Sequence, residues 1–331
     1  MSNDEMWSYA LKHPFKFERI QIKKPQPSDL AEGEVLVRVL VGGICGSDIP
    51  PLKGQVTSYG SRLPEGRKNL PIGAPLHEIV GEVVASRDSS LNEGDRIVGW
   101  ATSSNALSEY VIVYGGDVHG LQTDLEPSTA IILQPLACVL HAVSRIAGVE
   151  GSTVAVIGQG SIGVLFSHVL KQKGAARVIG VDRVDRSAVA DVFGVDEMVW
   201  SSSDSWAAGL TDLADQVDIV VEAAGHQVST LTDAITALRN WGQIYYFGMP
   251  DDPVYPFPMA AFLRKNATLK SGYSPLEVRR ASLERAEEYF SQHPDIAKPY
   301  VTHAFNFSDV EEAFSVAATQ SASRLKVTLE I

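Results

Sequence analysis

Through residues 17–41 the chain runs in short β-branched stretches broken by Pro25, Pro27 and Gly33, and residues 34–43 (EVLVRVLVGG) read as a strand with turn glycines behind it. Strand signals recur at residues 78–85, 95–98 and 109–113 with no long helical pattern between them, which predicts a β-rich N-terminal domain. Near Pro127 the spacing becomes helical: residues 127–148 predict a long connecting helix, interrupted internally at Pro135 and stopped at Gly148. Beyond it, TVAVIG, RVIGVD, DIVVEAAG and GQIYYFG alternate with helical stretches, the pattern of parallel strands with crossover helices. A helix over residues 275–293 is expected to close that doubly wound half, and the remaining strand-helix-strand pattern to pack back on the first domain. The expected boundaries are 1–142, 143–293 and 294–331, with SSSDS at 201–205 as a loop and no internal repeat.

The 331-residue length agrees with more than one core, since chains beyond about 250 to 300 residues usually divide. With 45% hydrophobic and 21% charged residues the chain has the composition of a folded protein. Its net charge of -12 and lack of a Lys/Arg-rich segment argue against a nucleic-acid partner. The beginning, MSNDE, has no basic and apolar leader pattern, and no membrane partner is expected, so the expected location is the cytoplasm. Cys45 and Cys138 alone cannot build a disulfide framework or a four-cysteine zinc site.

Gly158, Gly160 and Gly163 directly follow the strand STVAVI and open the apolar helix VLFSHVLKQKG. In that context the first glycine permits a tight turn, the second lets a pyrophosphate approach the backbone, and the third allows close helix packing. The helix start at Ser161 and Ile162 would then face the phosphates, where unpaired N–H groups and the helix dipole favour negative charge. RVIGVD ends at Asp182, whose carboxylate can accept hydrogen bonds from the adenosine ribose and would repel a 2′-phosphate. NAD is therefore expected over NADP, with Arg183 and Arg186 as nearby cations that work the other way.

Cys45 lies in GGICGSD just after a strand, and His77-Glu78 opens another strand, so folding could bring a thiolate, an imidazole and a carboxylate together. Catalytic zinc needs about three such ligands and one open position. Taken alone, Cys45 reads more readily as a small buried hydrophobe and His77 as a satisfied polar residue.

The collinear set GICGSD, HEIVGEVV, GDRIVG, SEYVIV, QPLACVLHAV, VAVIGQGSIG, VIGVD, VVEAAG and VTHAFNFSDVEEAF resembles the medium-chain dehydrogenase/reductase superfamily, specifically its zinc-dependent alcohol and polyol dehydrogenases, over nearly the whole chain. The resemblance implies an α/β protein with a GroES-like β-rich catalytic domain formed by both chain ends, a Rossmann domain with a doubly wound parallel sheet, and zinc in the cleft. It implies Cys45 and His77 as metal ligands, Glu78 as a carboxylate that coordinates directly or exchanges with water, and Gln134 as a fourth ligand where many relatives carry glutamate. It implies Asp48 as the carboxylate that orients His77, and Ser47 as the hydroxyl that hands the substrate proton onward. Catalytic roles are thus implied for Cys45, Ser47, Asp48 and His77, and cofactor contacts for Gly158, Gly160, Ser161, Ile162, Gly163, Asp182 and Arg183.

Three positions depart from the family pattern. Leu76 stands where the family carries glycine before His-Glu, Pro50 where many alcohol dehydrogenases place the histidine that ends the proton relay, and the four-cysteine structural-zinc lobe is missing. One catalytic zinc per subunit and no structural zinc follow. His141 shares a helical face with Gln134 but is expected to pack, and Trp100 and Tyr59 could line a pocket or fill a domain interface. The expected function is hydride transfer between NAD and a secondary alcohol, polyol or sugar-like substrate, in a homodimer or homotetramer. The alternatives are a zinc-free NADPH-dependent quinone or enone reductase and a non-catalytic dinucleotide-binding protein of the same fold.

Overall fold

The computed structural model describes residues 4–54 and 70–331. Tyr59 and most of the loop before Pro71 lie outside them. In chain order the strands are β1 (Glu5–His13), β2 (Lys16–Lys23), β3 (Glu34–Ile44), β4 (Glu78–Ser86), β5 (Arg96–Trp100), β6 (Tyr110–Tyr114), β7 (Val118–Gly120), β8 (Thr153–Ile157), β9 (Arg177–Asp182), β10 (Glu197–Trp200), β11 (Val217–Glu222), β12 (Leu238–Tyr246), β13 (Thr268–Ser271), β14 (Val301–Asn306) and β15 (Lys326–Glu330). The chain clusters into two compact units, one from Met1–Ala137 with Pro275–Ile331 and one from Cys138–Ser274.

The first unit holds a sheet in the order β14-β15-β3-β4-β5-β7, with β6 also on β3, and a separate β1-β2 hairpin. All pairings are antiparallel except β14 with β15. Buried Val35, Val37, Val39, Ile79, Ile97, Val111, Val327 and Leu329 fill its core, so strands from both chain ends share one apolar interior. The helix Leu276–Gln292, which the sequence pattern assigns to the doubly wound half, belongs to this unit. Its polar residues explain the difference: Arg279 pairs with Asp117 at 2.5 Å, Arg280 with Asp88 at 2.9 Å, and Glu287 with His119 at 2.7 Å. These partners all lie on or beside the antiparallel sheet, and an apolar-periodicity reading gives such charges no address.

In the second unit all six strands are parallel, in the order β10-β9-β8-β11-β12-β13. The order reverses between β8 and β11, the place where open parallel sheets bind ligands beyond their strand ends. Ala155, Ile157, Ile179, Val181, Val220 and Ile244 form its core with the helix Thr230–Ala237.

The expected long connecting helix is two pieces, Pro127–Ala130 and Leu133–Ser144. Pro135 does not interrupt the second piece. It sits in the first turn, where a missing N–H costs no helical hydrogen bond. Pro127–Ser144 is the one helical stretch among the described residues that is long and apolar enough to cross a membrane, and most of it is buried inside the protein as core.

Candidate active site

In the first unit the chain leaves β3 at Ile44 and turns through the short 3-10 segment Gly46–Asp48. The Asp48 carboxylate closes this turn: Oδ2 accepts the Cys45 N–H at 2.9 Å, and Oδ1 accepts from His77 Nδ1 at 2.8 Å. Asp48 is 3% exposed, so the bond is shielded from competing water. With Nδ1 engaged, Nε2 of His77 is the nitrogen left to donate to a metal. Burial works against the His77 imidazolium, but the facing Asp48 carboxylate and the Cys45 sulfur outweigh it and hold the pKa well above the ordinary histidine value.

Donor atoms of Cys45, His77 and Glu78 lie within 4.8 Å of one another. Register produces this: in the antiparallel β3-β4 pair Gly43 faces Glu78, and a Cβ at Gly43 would strike the Glu78 carboxylate. One soft sulfur, one imidazole and one carboxylate are a donor set that fits zinc. Gln134 is buried in the first turn of Leu133–Ser144, and Ser47 is half-buried beside Cys45.

One further member of this site comes from β15, far along the chain. Lys326, the first residue of β15, donates from Nζ to Glu78 Oε2 at 2.6 Å and to the Ile44 carbonyl at 3.3 Å. Both side chains of the pair are 1% exposed. Burial penalises the ammonium, yet Glu78, Cys45 and Asp48 around it raise the Lys326 pKa, so it stays charged. A lone lysine opening an apolar strand, KVTLE, was the available hint.

The second unit carries the glycine turn after β8. Gly158 has φ +91°, and a Cβ there would strike the Ala224 backbone; a Cβ on Gly163 would strike the Gly158 carbonyl. At Gly160 a Cβ would meet nothing within 4 Å. Protein packing therefore explains two of the three glycines, and the third leaves open space at the start of the helix Ser161–Gln172, which suits an approaching phosphate. Asp182, at the end of β9, accepts from the Gln159 N–H at 2.6 Å and the Val184 N–H at 2.8 Å, which leaves lone pairs on both oxygens for ribose hydroxyls. Arg183 is exposed, whereas Arg186 is buried and donates to the Gln159 carbonyl at 3.1 Å. Ser161 and Ile162 are half-buried in the first helical turn.

Glu222, within VVEAAG, has a role that its sequence context does not announce. It is fully buried at the end of β11 and accepts the N–H groups of Ala224, Gly225 and Gly248 at 3.2, 3.1 and 3.2 Å, which ties together the loops after β11 and β12. Burial raises its pKa, and those hydrogen bonds moderate the rise. Trp100 is buried on β5 with the Arg279 guanidinium 5.0 Å from its ring, a packing role.

Two family models match the chain: an alcohol dehydrogenase GroES-like domain over residues 31–122 and a zinc-binding dehydrogenase domain over residues 161–287. The chain belongs to the medium-chain dehydrogenase/reductase superfamily. It is an oxidoreductase of the alcohol dehydrogenase type, with a GroES-like unit and a Rossmann unit. A sorbitol dehydrogenase of Halalkalibacterium halodurans is 25% identical, with 93% of this chain and 94% of that protein covered. An erythritol/L-threitol dehydrogenase of Mycolicibacterium smegmatis is 27% identical over 72% of this chain and 74% of its own. Among solved structures, a short chain alcohol dehydrogenase from E. coli CFT073 in complex with NADH superposes with a TM-score of 0.82 at 21% identity, covering 99% of this chain and 100% of that one. A putative zinc-binding dehydrogenase from Sinorhizobium meliloti 1021 bound to NADP gives 0.79 at 21% identity, covering 99% of both chains.

Proposed function

We propose that this member of the superfamily oxidises a secondary alcohol, of polyol or sugar-like type, with NAD and one catalytic zinc per subunit, and carries no structural zinc. The observation that carries the reading is the convergence of Cys45, His77 and Glu78, with His77 already oriented by Asp48. Cys45, His77 and either Glu78 or Gln134 would hold the ion. Zinc, when bound, polarises the alcohol oxygen and lowers its pKa. Ser47, two residues past Cys45, would accept the alcohol proton. With Pro50 where the relay histidine would stand, that proton would leave through the cofactor ribose or water. NAD, when bound, would accept the hydride of the carbinol carbon, so that one alcohol and one NAD would become one ketone, one NADH and one proton. Cys45 must stay reduced to serve as a ligand, which a reducing compartment such as the cytoplasm maintains. The sorbitol and erythritol/L-threitol dehydrogenases among the relatives support the polyol preference. The open edge of β13 supports a homodimer or homotetramer.

Metal analysis of purified protein joined to a screen of polyols, sugars and simple secondary alcohols with NAD and NADP tests the reading. One zinc per chain and NAD reduction by a polyol are expected. Protein without stoichiometric zinc that leaves the whole panel untouched would sink it, and metal-free protein that reduces enones with NADPH would move it to the quinone reductase branch.

Two substitutions sharpen the test. Asp48→Asn keeps one acceptor but loses the charge and one of two hydrogen bonds, so zinc affinity should fall roughly 10- to 100-fold in a chelator competition. An unchanged affinity would remove Asp48 from the metal site. Asp182→Ala removes the ribose acceptor and the repulsion of a 2′-phosphate, so the preference for NAD over NADP, read as a ratio of kcat/KM values, should fall roughly 10- to 100-fold. The inward engagement of Arg186 leaves Arg183 as the cation of the pair free of that loop bond.

A further inference from the structure

Trp200 ends β10 with its side chain largely in water, 69% exposed. The indole is not loose: Nε1–H donates to the Arg183 carbonyl at 3.0 Å. The parallel register sets Trp200 beside Asp182, and the Ser201 N–H bonds the Asp182 carbonyl at 2.9 Å. The ring is therefore held over the turn that directly follows the ribose-reading carboxylate. Leaving an indole exposed forgoes the burial that this side chain ordinarily contributes.

The sheet order supplies a reason. Outward from the switch point the strand ends are β8, β9 and β10, about 4.8 Å apart. The first leads into the glycine turn for the pyrophosphate, the second ends on Asp182 for the ribose hydroxyls, and the third ends on Trp200. A dinucleotide presents phosphate, ribose and base in the same order, and the base is joined to the ribose that Asp182 would read. An aromatic face at the third strand end is what an adenine ring would meet next.

We propose that Trp200 is the stacking platform for the adenine of the bound dinucleotide. The inference rests on the dinucleotide reading of the glycine turn, and it is indifferent to the choice between NAD and NADP because both carry adenine. Stacking of a base on an aromatic side chain accounts for roughly 10- to 100-fold in affinity. Asp182 and the glycine turn would fix the ribose and phosphates, and Trp200 would add the base.

The test uses full-length protein and three probes: NADH, ADP-ribose and reduced nicotinamide mononucleotide, which lacks adenine. Trp200→Ala should weaken ADP-ribose and NADH by the same roughly 10- to 100-fold, raise the KM for the dinucleotide in parallel, and leave the mononucleotide unmoved. Trp200→Phe should keep most of the affinity, yet lose the quenching of tryptophan emission that ADP-ribose causes in the parent protein. Alanine variant binding within about twofold of the parent overturns the platform. An equal loss for the mononucleotide overturns it too, since that would mark general distortion of the Rossmann unit. Parent protein that binds neither NADH nor ADP-ribose defeats the dinucleotide reading itself, and this inference with it.

Discussion

Replacing Cys45 with serine is expected to lower kcat/KM by on the order of 10³-fold or more and to take zinc from one per chain to almost none. The reasoning starts from the donor set. A serine hydroxyl is a poor substitute for thiolate, and without Cys45 the site keeps an imidazole and a carboxylate whose Oε2 is already bonded to Lys326. A Lewis acid contributes several kcal/mol of charge stabilisation in the transition state, which is the size of the expected loss. NADH binding should survive, because Gly158, Asp182 and Trp200 belong to the other unit. Metal content, steady-state rates and NADH binding measured together separate a lost metal from a lost fold. Full activity in the serine variant would end the zinc reading.

Lys326→Met should have the largest effect on stability. Glu78 and Lys326 are each 1% exposed, so in metal-free protein removing the ammonium leaves a carboxylate in the core with no cation against it. Breaking such a pair costs about 3–5 kcal/mol, whereas replacing both partners by apolar groups is often neutral. The single variant should lose on the order of 10 °C in melting temperature. Lys326→Met with Glu78→Leu should regain most of it, though without Glu78 as a donor. A single variant that melts with the parent protein would show that the pair contributes nothing measurable.

Both experiments bear on how much could be read from the residue order. The glycine turn was legible because Gly158, Gly160, Gly163 and Asp182 lie on one local strand-turn-helix-strand unit, where backbone packing requires glycine at 158 and 163. The strands β3, β4 and β8 were legible because apolar runs of their length fit a sheet. The four-residue β10 was hidden, since EMVW is too short to show a period, and Trp200 went unnoticed with it. Lys326 was hidden for a different reason: its partner is far away in the chain, and only the β15-β3 and β3-β4 pairings bring them together. The periodicity of the helix Leu276–Gln292 says which face is apolar and nothing about the charges that join it to the antiparallel sheet. At Cys45 and His77 the residues themselves left two readings open, and resemblance to the superfamily favoured one.

The separation of 248 positions between Glu78 and Lys326 also has a meaning in time. A ribosome delivers the carboxylate first and the ammonium afterwards, with every strand of the parallel sheet emerging between them. The Rossmann unit can be finished while the other sheet still waits for β14 and β15. Until they arrive, Glu78 has every reason to stay in water, so the apolar interior around it closes only after the parallel sheet has emerged.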